Sequence, residues 1–358
     1  MDDTLKLEDL GYGDFFESRR GTDGFPVARI IAEHKEAYRV KNTEGEYLAK
    51  ITGKQMFNAL SREDYPAVGD WAAISDVGDE RAVIHRVLPR KTILKRKCSG
   101  KNEIQIIATN IDAAFVIESA DRDCNLNRLE RYFAIIRDGG IQPAIIFNKI
   151  DLISTEELQS RVNQIQNRFG DIDCIATSTL TDEGLTVLKA NIAKGKTYCF
   201  LGSSGVGKSS LINKLIGKEV IKTNVVSVRA DRGRHTTTRR EMYFLEEGGI
   251  VIDNPGMREV GLTEAGDGIN SLFDEITSLA QKCKYSDCTH IHESGCAVLS
   301  AIKSGQIDED QYRHYLTLKK EAEFYEMTEL EKKRKDSDFG KYIKKAKDQL
   351  KRHGHKDY

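Results

Sequence analysis

The stretch "AIIFNKIDLI" (residues 144–153) decides how this chain is to be read. An apolar run leads into Asn148-Lys149-Ile150-Asp151, the layout of a corner that reads a guanine base at the end of a buried strand. Further along comes "GSSGVGKS" (202–209), which satisfies G-x-x-x-x-G-K-[ST] in full. In the usual arrangement the phosphate loop precedes the base-reading corner. Either one match is accidental, or a nucleotide-binding domain has been cut and rejoined.

The flanks argue against accident. "YCFLG" is an apolar strand entering the loop, and "KSSLINKLIG" reads as the helix that follows it. Glycines let backbone N–H groups turn inward around phosphate oxygens, and the helix N-terminus adds positive potential. The candidate phosphate-binding residues are Gly202, Ser203, Ser204, Gly205, Val206, Gly207, Lys208, Ser209 and Ser210. Lys208 is expected to reach the β- and γ-phosphates, and the Ser209 hydroxyl to ligate Mg²⁺. "GIVIDNPG" (249–256) is a strand ending in Asp-x-x-Gly, with Asp253 near the metal through a water and the Gly256 N–H facing the γ-phosphate. Between the two lies polar "RADRGRHTTTRRE" (229–241), in which Thr237 or Thr238 would complete the Mg²⁺ shell. Its plainer reading is a solvated loop, which is also how a nucleotide switch looks in its off state.

In the corner, Asp151 can accept from guanine N1–H and from the exocyclic amine, a pattern adenine does not offer. The site therefore selects GTP over ATP. Asn148 is expected to tie the corner to neighbouring backbone, and the Lys149 stem to cover the base. "IATSTLTDEGL" (175–185) ends another strand at Ser178, suited to back the guanine. The order is base-reading corner, serine loop, phosphate loop, switch, Asp-x-x-Gly, which is the usual sequence rotated. Joining the old ends and cutting elsewhere preserves every strand neighbour. The expected fold over 98–262 is a circularly permuted α/β P-loop GTPase domain, its strand–helix alternation implying a mostly parallel sheet.

At 358 residues the chain should hold two or three domains. Apolar content of 39% supports real cores, and a formal charge of −1 leaves any nucleic-acid partner to be argued from local asymmetry. No run approaches the ~18 apolar residues of a membrane span. The acidic start lacks the layout of a secretion signal, so a cytoplasmic protein is expected, without membrane and as a monomer.

Residues 1–23 read as a loose, polar N-terminal extension. Over 24–97, five short runs, "VARIIA", "AYRVKN", "EYLAKI", "DWAAIS" and "AVIHRVL", suggest a small β-barrel of the oligonucleotide-binding (OB) type, or an SH3-like one, ending in the basic linker "PRKTILKRK" (89–97). Such a barrel grips RNA by charge and stacking. Tyr38, Tyr47 and Trp71 are stacking candidates or core. Residues 263–358 form a mainly helical C-terminal domain, with one long helix expected over 308–335 and a basic tail.

Of seven cysteines, Cys98, Cys124, Cys174 and Cys199 are scattered and expected to be small buried hydrophobes. Cys283-x4-Cys288-x-His290-x5-Cys296 instead offers three thiolates and one imidazole, a complete tetrahedral set for one structural Zn²⁺. His292 is a competing ligand at this point.

Taken together, "NLNRLERY" (125–132), "GSSGVGKSSLIN", "GRHTTT", "DNPGMRE" and "CKYSDCTHIHESGCAV" resemble, in order, the motifs of the ribosome small-subunit-dependent GTPase A (RsgA) family of bacterial circularly permuted GTPases. The resemblance covers most of the chain. It implies GTP hydrolysis stimulated by the small (30S) ribosomal subunit and its 16S rRNA, a role in late assembly of that subunit, and His290 as the zinc ligand. A departure is Ser294, where proline is expected.

Met257 stands where many GTPases carry a water-positioning glutamine. His235, beside the switch threonines, is the catalytic candidate, together with Lys208; its plainer role is to pack the switch. The rival to a subunit-stimulated hydrolase is a GTP-dependent binding switch with a protein partner, whose hydrolysis is incidental.

Overall fold

The computed structural model describes residues 5–34, 37–97, 104–122, 124–170, 172–221, 240–254, 265–327 and 331. The chain divides into two compact units, Met1–Gly261 with Asp267–Leu272, and Leu262–Gly266 with Phe273–Tyr358.

The first unit opens with a closed barrel of β1 (Val27–Glu33), β2 (Tyr38–Lys41), β3 (Glu46–Ile51), β4 (Trp71–Gly78) and β5 (Arg81–Val87). β1, β2 and β3 form an antiparallel meander. β3 then pairs with β5 in parallel, β5 with β4 antiparallel, and β4 returns to β1 with Val27 opposite Ala73. The order 1-2-3-5-4-1 is that of an OB barrel. The parallel β3–β5 contact marks it off from an SH3-like one. Alternate residues point inward, so that Ile30, Val40, Ala49, Ile74 and Ile84 fill the interior.

Residues 7–17 are not loose. A 3₁₀ turn (Leu7–Leu10) and a short helix (Asp14–Glu17) carry Leu10, Tyr12 and Phe16 onto Val27, Trp71 and Leu88. Tyr12 meets Trp71 edge-on at 4.8 Å between centroids. The polar average of this segment hides three apolar side chains that one turn and one helix bring to the same face. For the same reason Trp71 and Tyr38 are core rather than stacking surface, and Tyr47 is half-buried against the barrel interior. The basic linker is likewise partly a strand. β6 (Ile93–Lys97) pairs with β7 (Ile104–Thr109) in a two-stranded sheet, with Leu94 fully buried.

Six further strands follow, β8 (Ala113–Ser119), β9 (Gln142–Asn148), β10 (Cys174–Thr177), β11 (Thr197–Leu201), β12 (Glu241–Phe244) and β13 (Ile250–Asp253). Their spatial order is β10-β9-β8-β11-β13-β12, parallel except for β12. Both faces are covered by helices, which is why these strands are buried almost throughout rather than alternating. Helix Leu126–Asp138 starts at Asn125, whose side chain caps the Arg128 N–H at 2.9 Å. Helix Thr155–Phe169 starts at Ser154 in the same way. The chain fans one way from β8 and the other way from β11, so the crevice at their carboxyl ends is the topological switch point where α/β sheets bind ligands. β12 also pairs with β1, Glu241 opposite Ala32, which makes barrel and α/β sheet one continuous eleven-stranded sheet.

The second unit contains helices Asp274–Ala280, Ala297–Lys303 and Glu309–Glu326. The last breaks at Met327, which leaves helical geometry with ψ at 138°, and Glu331 is helical again. Most of the basic tail, 328–330 and 332–358, lies outside the described residues. None of the described helices is long and apolar enough to cross a membrane.

Candidate functional site

The phosphate loop runs from the end of β11 into helix Lys208–Ile216. Gly202, Gly205 and Gly207 all have positive φ, at 141°, 83° and 97°. Space demands glycine as well. A Cβ on Gly207 would lie 2.2 Å from Asn148 Nδ2, and one on Gly202 would lie 2.6 Å from the Ile117 carbonyl. The loop therefore closes against the end of β9 and the backbone of β8 with no room for a side chain.

The Asn148 side chain, fully buried, donates from Nδ2 to the Val206 carbonyl at 2.9 Å and accepts at Oδ1 from Thr177 Oγ1 at 3.2 Å. It ties three elements together: the base-reading corner, the serine strand and the phosphate loop. Lys149 takes left-handed backbone with φ at 62°, and its Nζ reaches Asp121 Oδ2 at 3.0 Å. The Ser178 hydroxyl accepts from the N–H groups of Leu180 and Thr181, each at 3.1 Å, and donates to Asp151 Oδ1. Ser178 thus holds the carboxylate that would face the base, an assignment more specific than backing the guanine. An aimed carboxylate with one oxygen anchored is suited to two parallel N–H donors.

Lys208 is buried and donates to the carbonyls of Gly202 and Ser203 at 2.9 and 2.8 Å. Burial pushes its ammonium down to about 8, against the pull of the nearby Asp253 carboxylate. Burial pushes Asp253 up to about 6, opposed by Lys208 and assisted by Glu241. A polyanion carrying a divalent cation would relieve both shifts, since it adds negative charge beside the lysine and positive charge beside the aspartate. Ser209 and Ser210 sit in the first turn of the loop helix, as the motif requires. Gly256 and Met257, with His235, Thr237 and Thr238 of the expected switch, lie outside the described residues.

Sequence reading missed Asp121 and Arg122. They occupy the loop after β8, where Asp121 holds Lys149 and the Arg122 guanidinium donates to the Ser204 carbonyl at 3.3 Å. Only their place at a strand's carboxyl end in a parallel sheet would have pointed to them.

In the second unit, the ligand atoms of Cys283, Cys288, His290 and Cys296 all lie within 4.8 Å of one another. Tetrahedral Zn²⁺ with bonds of ~2.3 Å to sulfur and ~2.0 Å to nitrogen sets edges of about 3.8 Å between sulfurs and about 3.5 Å between sulfur and nitrogen. The Cys283–Cys296 separation is 3.8 Å, and His290 Nδ1 lies 3.6 and 3.5 Å from their sulfurs. The donor set therefore fits zinc. His290, with φ at 64°, is buried and pinned by the Tyr312 hydroxyl donating to its carbonyl; His292 is exposed and outside the group. Burial and Lys319 lower the His290 pKa, favouring the neutral imidazole that a metal needs. Burial raises the Cys288 thiol to about 11, and the neighbouring sulfurs add to the shift; a dication would offset both. Of the scattered cysteines, Cys199 is buried and accepts from Asn254, Cys124 and Cys174 are half-buried, and Cys98 lies outside the described residues. The described cysteines are all free thiols.

A parallel sheet with a phosphate loop at its switch point, and a base-reading corner that precedes that loop in the chain, define a circularly permuted GTPase. The RsgA GTPase family matches residues 87–263. A small ribosomal subunit biogenesis GTPase RsgA 1 of Bacteroides thetaiotaomicron is 38% identical over 322 residues, 89% of each chain. The YjeQ crystal structure from Thermotoga maritima aligns with a TM-score of 0.60 and 25% identity, covering 82% of this chain and 96% of that one. YloQ, described as a circularly permuted GTPase, shares the fold at a TM-score of 0.60 and 21% identity, over 86% and 98% of the chains. The chain belongs to the RsgA family.

Proposed function

We propose that this chain hydrolyses GTP on the small ribosomal subunit, late in that subunit's maturation, and that the subunit stimulates the reaction. The observation that carries the nucleotide half is the bond from Asn148 to the Val206 carbonyl, which joins a guanine-type corner to a phosphate loop later in the chain. The ribosomal half rests on relatives such as the Bacteroides protein, whose name gives that role.

In this reading Asp151, anchored by Ser178, accepts from the guanine N1–H and amine while the Lys149 stem lies along the base. The N–H groups from Ser203 to Ser210 and the Lys208 ammonium hold the phosphates. Ser209, one of Thr237 and Thr238, and Asp253 through water would hold Mg²⁺, which supplies positive charge to the β- and γ-phosphate oxygens. The Gly256 N–H meets the γ-phosphate. His235 orients the attacking water, since the Met257 thioether can neither orient water nor take a proton. Zn²⁺ on Cys283, Cys288, His290 and Cys296 cross-links a loop-rich segment of the C-terminal domain (263–358). The barrel of 24–97 faces 16S rRNA, and the protein works in the cytoplasm as a monomer.

Turnover measured with and without small subunits, with large subunits as control, tests the reading. Stimulation by small subunits alone is the expected result. Equal rates in all three would leave a binding switch with incidental hydrolysis. His235→Ala should lower the stimulated single-turnover rate about 10²-fold with GTP binding unchanged. A wild-type rate would return His235 to a packing role.

A further inference from the structure

The first unit contains a cavity of about 540 Å³, away from the phosphate loop and on the flank of the barrel. Its walls come from the end of β1 (Glu33, His34), from β2 and β3 (Tyr38, Lys50), from the loop bearing Arg62 and Tyr65, from β7, and from Arg240 at the head of β12. The volume falls in the range of about 300–1,000 Å³ typical of small-molecule sites, so it suits one nucleotide rather than a helix.

The chemistry of the walls is uneven. Ile51, Pro66, Ala67 and Ile106 supply apolar surface, and the half-buried Tyr65 adds a ring face. Lys50, Arg62 and Arg240 supply positive charge against the single carboxylate of Glu33, which lies 3.6 Å from Arg240. Among the described residues, no acid pairs with Lys50 or Arg62. Met56 on the cleft wall, and Phe57 and Leu60 next along the chain, stand 56%, 89% and 97% exposed, an apolar group open to a partner. Cations around an apolar, aromatic floor make the composition that holds a single-stranded nucleotide, with phosphate at the rim and base inside.

The wall is also built in advance. Arg90 donates to the carbonyls of Glu63 and Tyr65 at 2.7 and 2.8 Å and pairs with Asp70 at 2.8 Å. Asp70 is fully buried and accepts in addition from Thr109 Oγ1 at 2.6 Å and from the Ala67 N–H at 2.8 Å. The loop that presents Arg62 and Tyr65 is thus held at both ends, and a ligand need not order it.

We propose that this cleft is a subsite for one unpaired RNA nucleotide, its base against Tyr65 and its phosphate held by Lys50, Arg62 and Arg240. The proposal rests on the barrel facing RNA and names where a strand would be gripped. It also carries a consequence for the GTPase centre. Arg240 precedes Glu241, which pairs across the sheet with Asp253 and with Ala32 of the barrel. A phosphate that draws Arg240 from Glu33 acts on the strand beside Asp253.

The test uses the full chain and a fluorescein-labelled decauridylate, with affinity read by anisotropy at about 50 and about 200 mM salt. Lys50→Ala with Arg62→Ala should weaken binding at least about tenfold and reduce the salt slope by about two. Tyr65→Leu should weaken it about tenfold with the slope unchanged, and Tyr65→Phe should restore it. GDP affinity, which depends on other residues, reports that each variant is folded. Wild-type affinity in the folded variants, or no binding of the decamer by the wild type, overturns the subsite. So does equal displacement by polyglutamate together with indifference to Tyr65→Leu, which would mark a general anion surface or a site for an acidic protein. Unchanged decamer binding in the variants with intact small-subunit stimulation would remove the cleft and leave the function standing. Absence of stimulation in the wild type would remove the function itself.

Discussion

Asn148 and Val206 meet through a 2.9 Å hydrogen bond across 58 residues of chain, whereas Cys283 and Cys296 face each other at 3.8 Å across 13. The nucleotide site is assembled by a sheet. Its donors and acceptors sit at the ends of β8, β9, β10, β11 and β13, and Asn148, Asp151 and Lys208 among them are held by hydrogen bonds within the protein. The cysteine–histidine group is assembled by a short loop in a compact unit of its own. That loop buries few apolar side chains, and its thiols resist joint ionisation, so a cation would complete it. One region is specified by tertiary packing and the other by coordination, and they should fail independently.

The largest expected effect lies in the phosphate loop. Lys208→Ala removes the buried ammonium that donates to the Gly202 and Ser203 carbonyls, and should weaken GDP binding about 10³-fold. Equilibrium titration with a fluorescent GDP analogue would measure it, while zinc content stays at one per chain. Loss of zinc in that variant would show that the two regions are coupled after all.

Next in size is the base corner. Asp151→Asn should weaken GTP binding about 10²-fold and favour xanthosine triphosphate, whose carbonyl wants the new amide donor. Unchanged GTP affinity would end the base-reading role of Asp151.

Breaking the other region sharpens the contrast. Cys288→Ser, or metal removal with a chelator, should expose 283–296 to proteolysis and hydrogen exchange while GDP affinity stays within about twofold. Elemental analysis that finds no zinc in the purified wild type would defeat the coordination half of the comparison.

The smallest effect is in pH. Burial places the free Lys208 near 8, and phosphate oxygens favour its protonated form, so binding above that pH must take up a proton. GDP affinity should therefore change little between about pH 7 and about pH 8 and fall by at most about tenfold per unit above that. The opposite slope, or none, would mean that the ammonium does not face the phosphates.

Much of this was legible in the chain. The phosphate loop, Asn148 to Asp151, Ser178, Asp253 and the four metal-ligand candidates are local patterns, because each needs particular residue types at short spacing on one strand end or one loop. The rotated order of those patterns was enough to indicate a permuted domain, since a parallel sheet keeps its strand neighbours wherever the chain is cut. What averaged composition concealed was packing: Leu10, Tyr12 and Phe16 in a polar segment, Leu94 in a basic one, and Trp71 in the core. Only the tertiary structure decided that Ser178 anchors Asp151 and that Asp121 and Arg122 brace the site, and it sets His290, as the family resemblance implied, rather than His292 beside the cysteines. It alone brought Lys50, Arg62, Tyr65 and Arg240 around one cleft. These are contacts between residues far apart in sequence, or choices between near neighbours settled by backbone direction. No spacing rule encodes either, because both are set by which surfaces meet when the sheet closes.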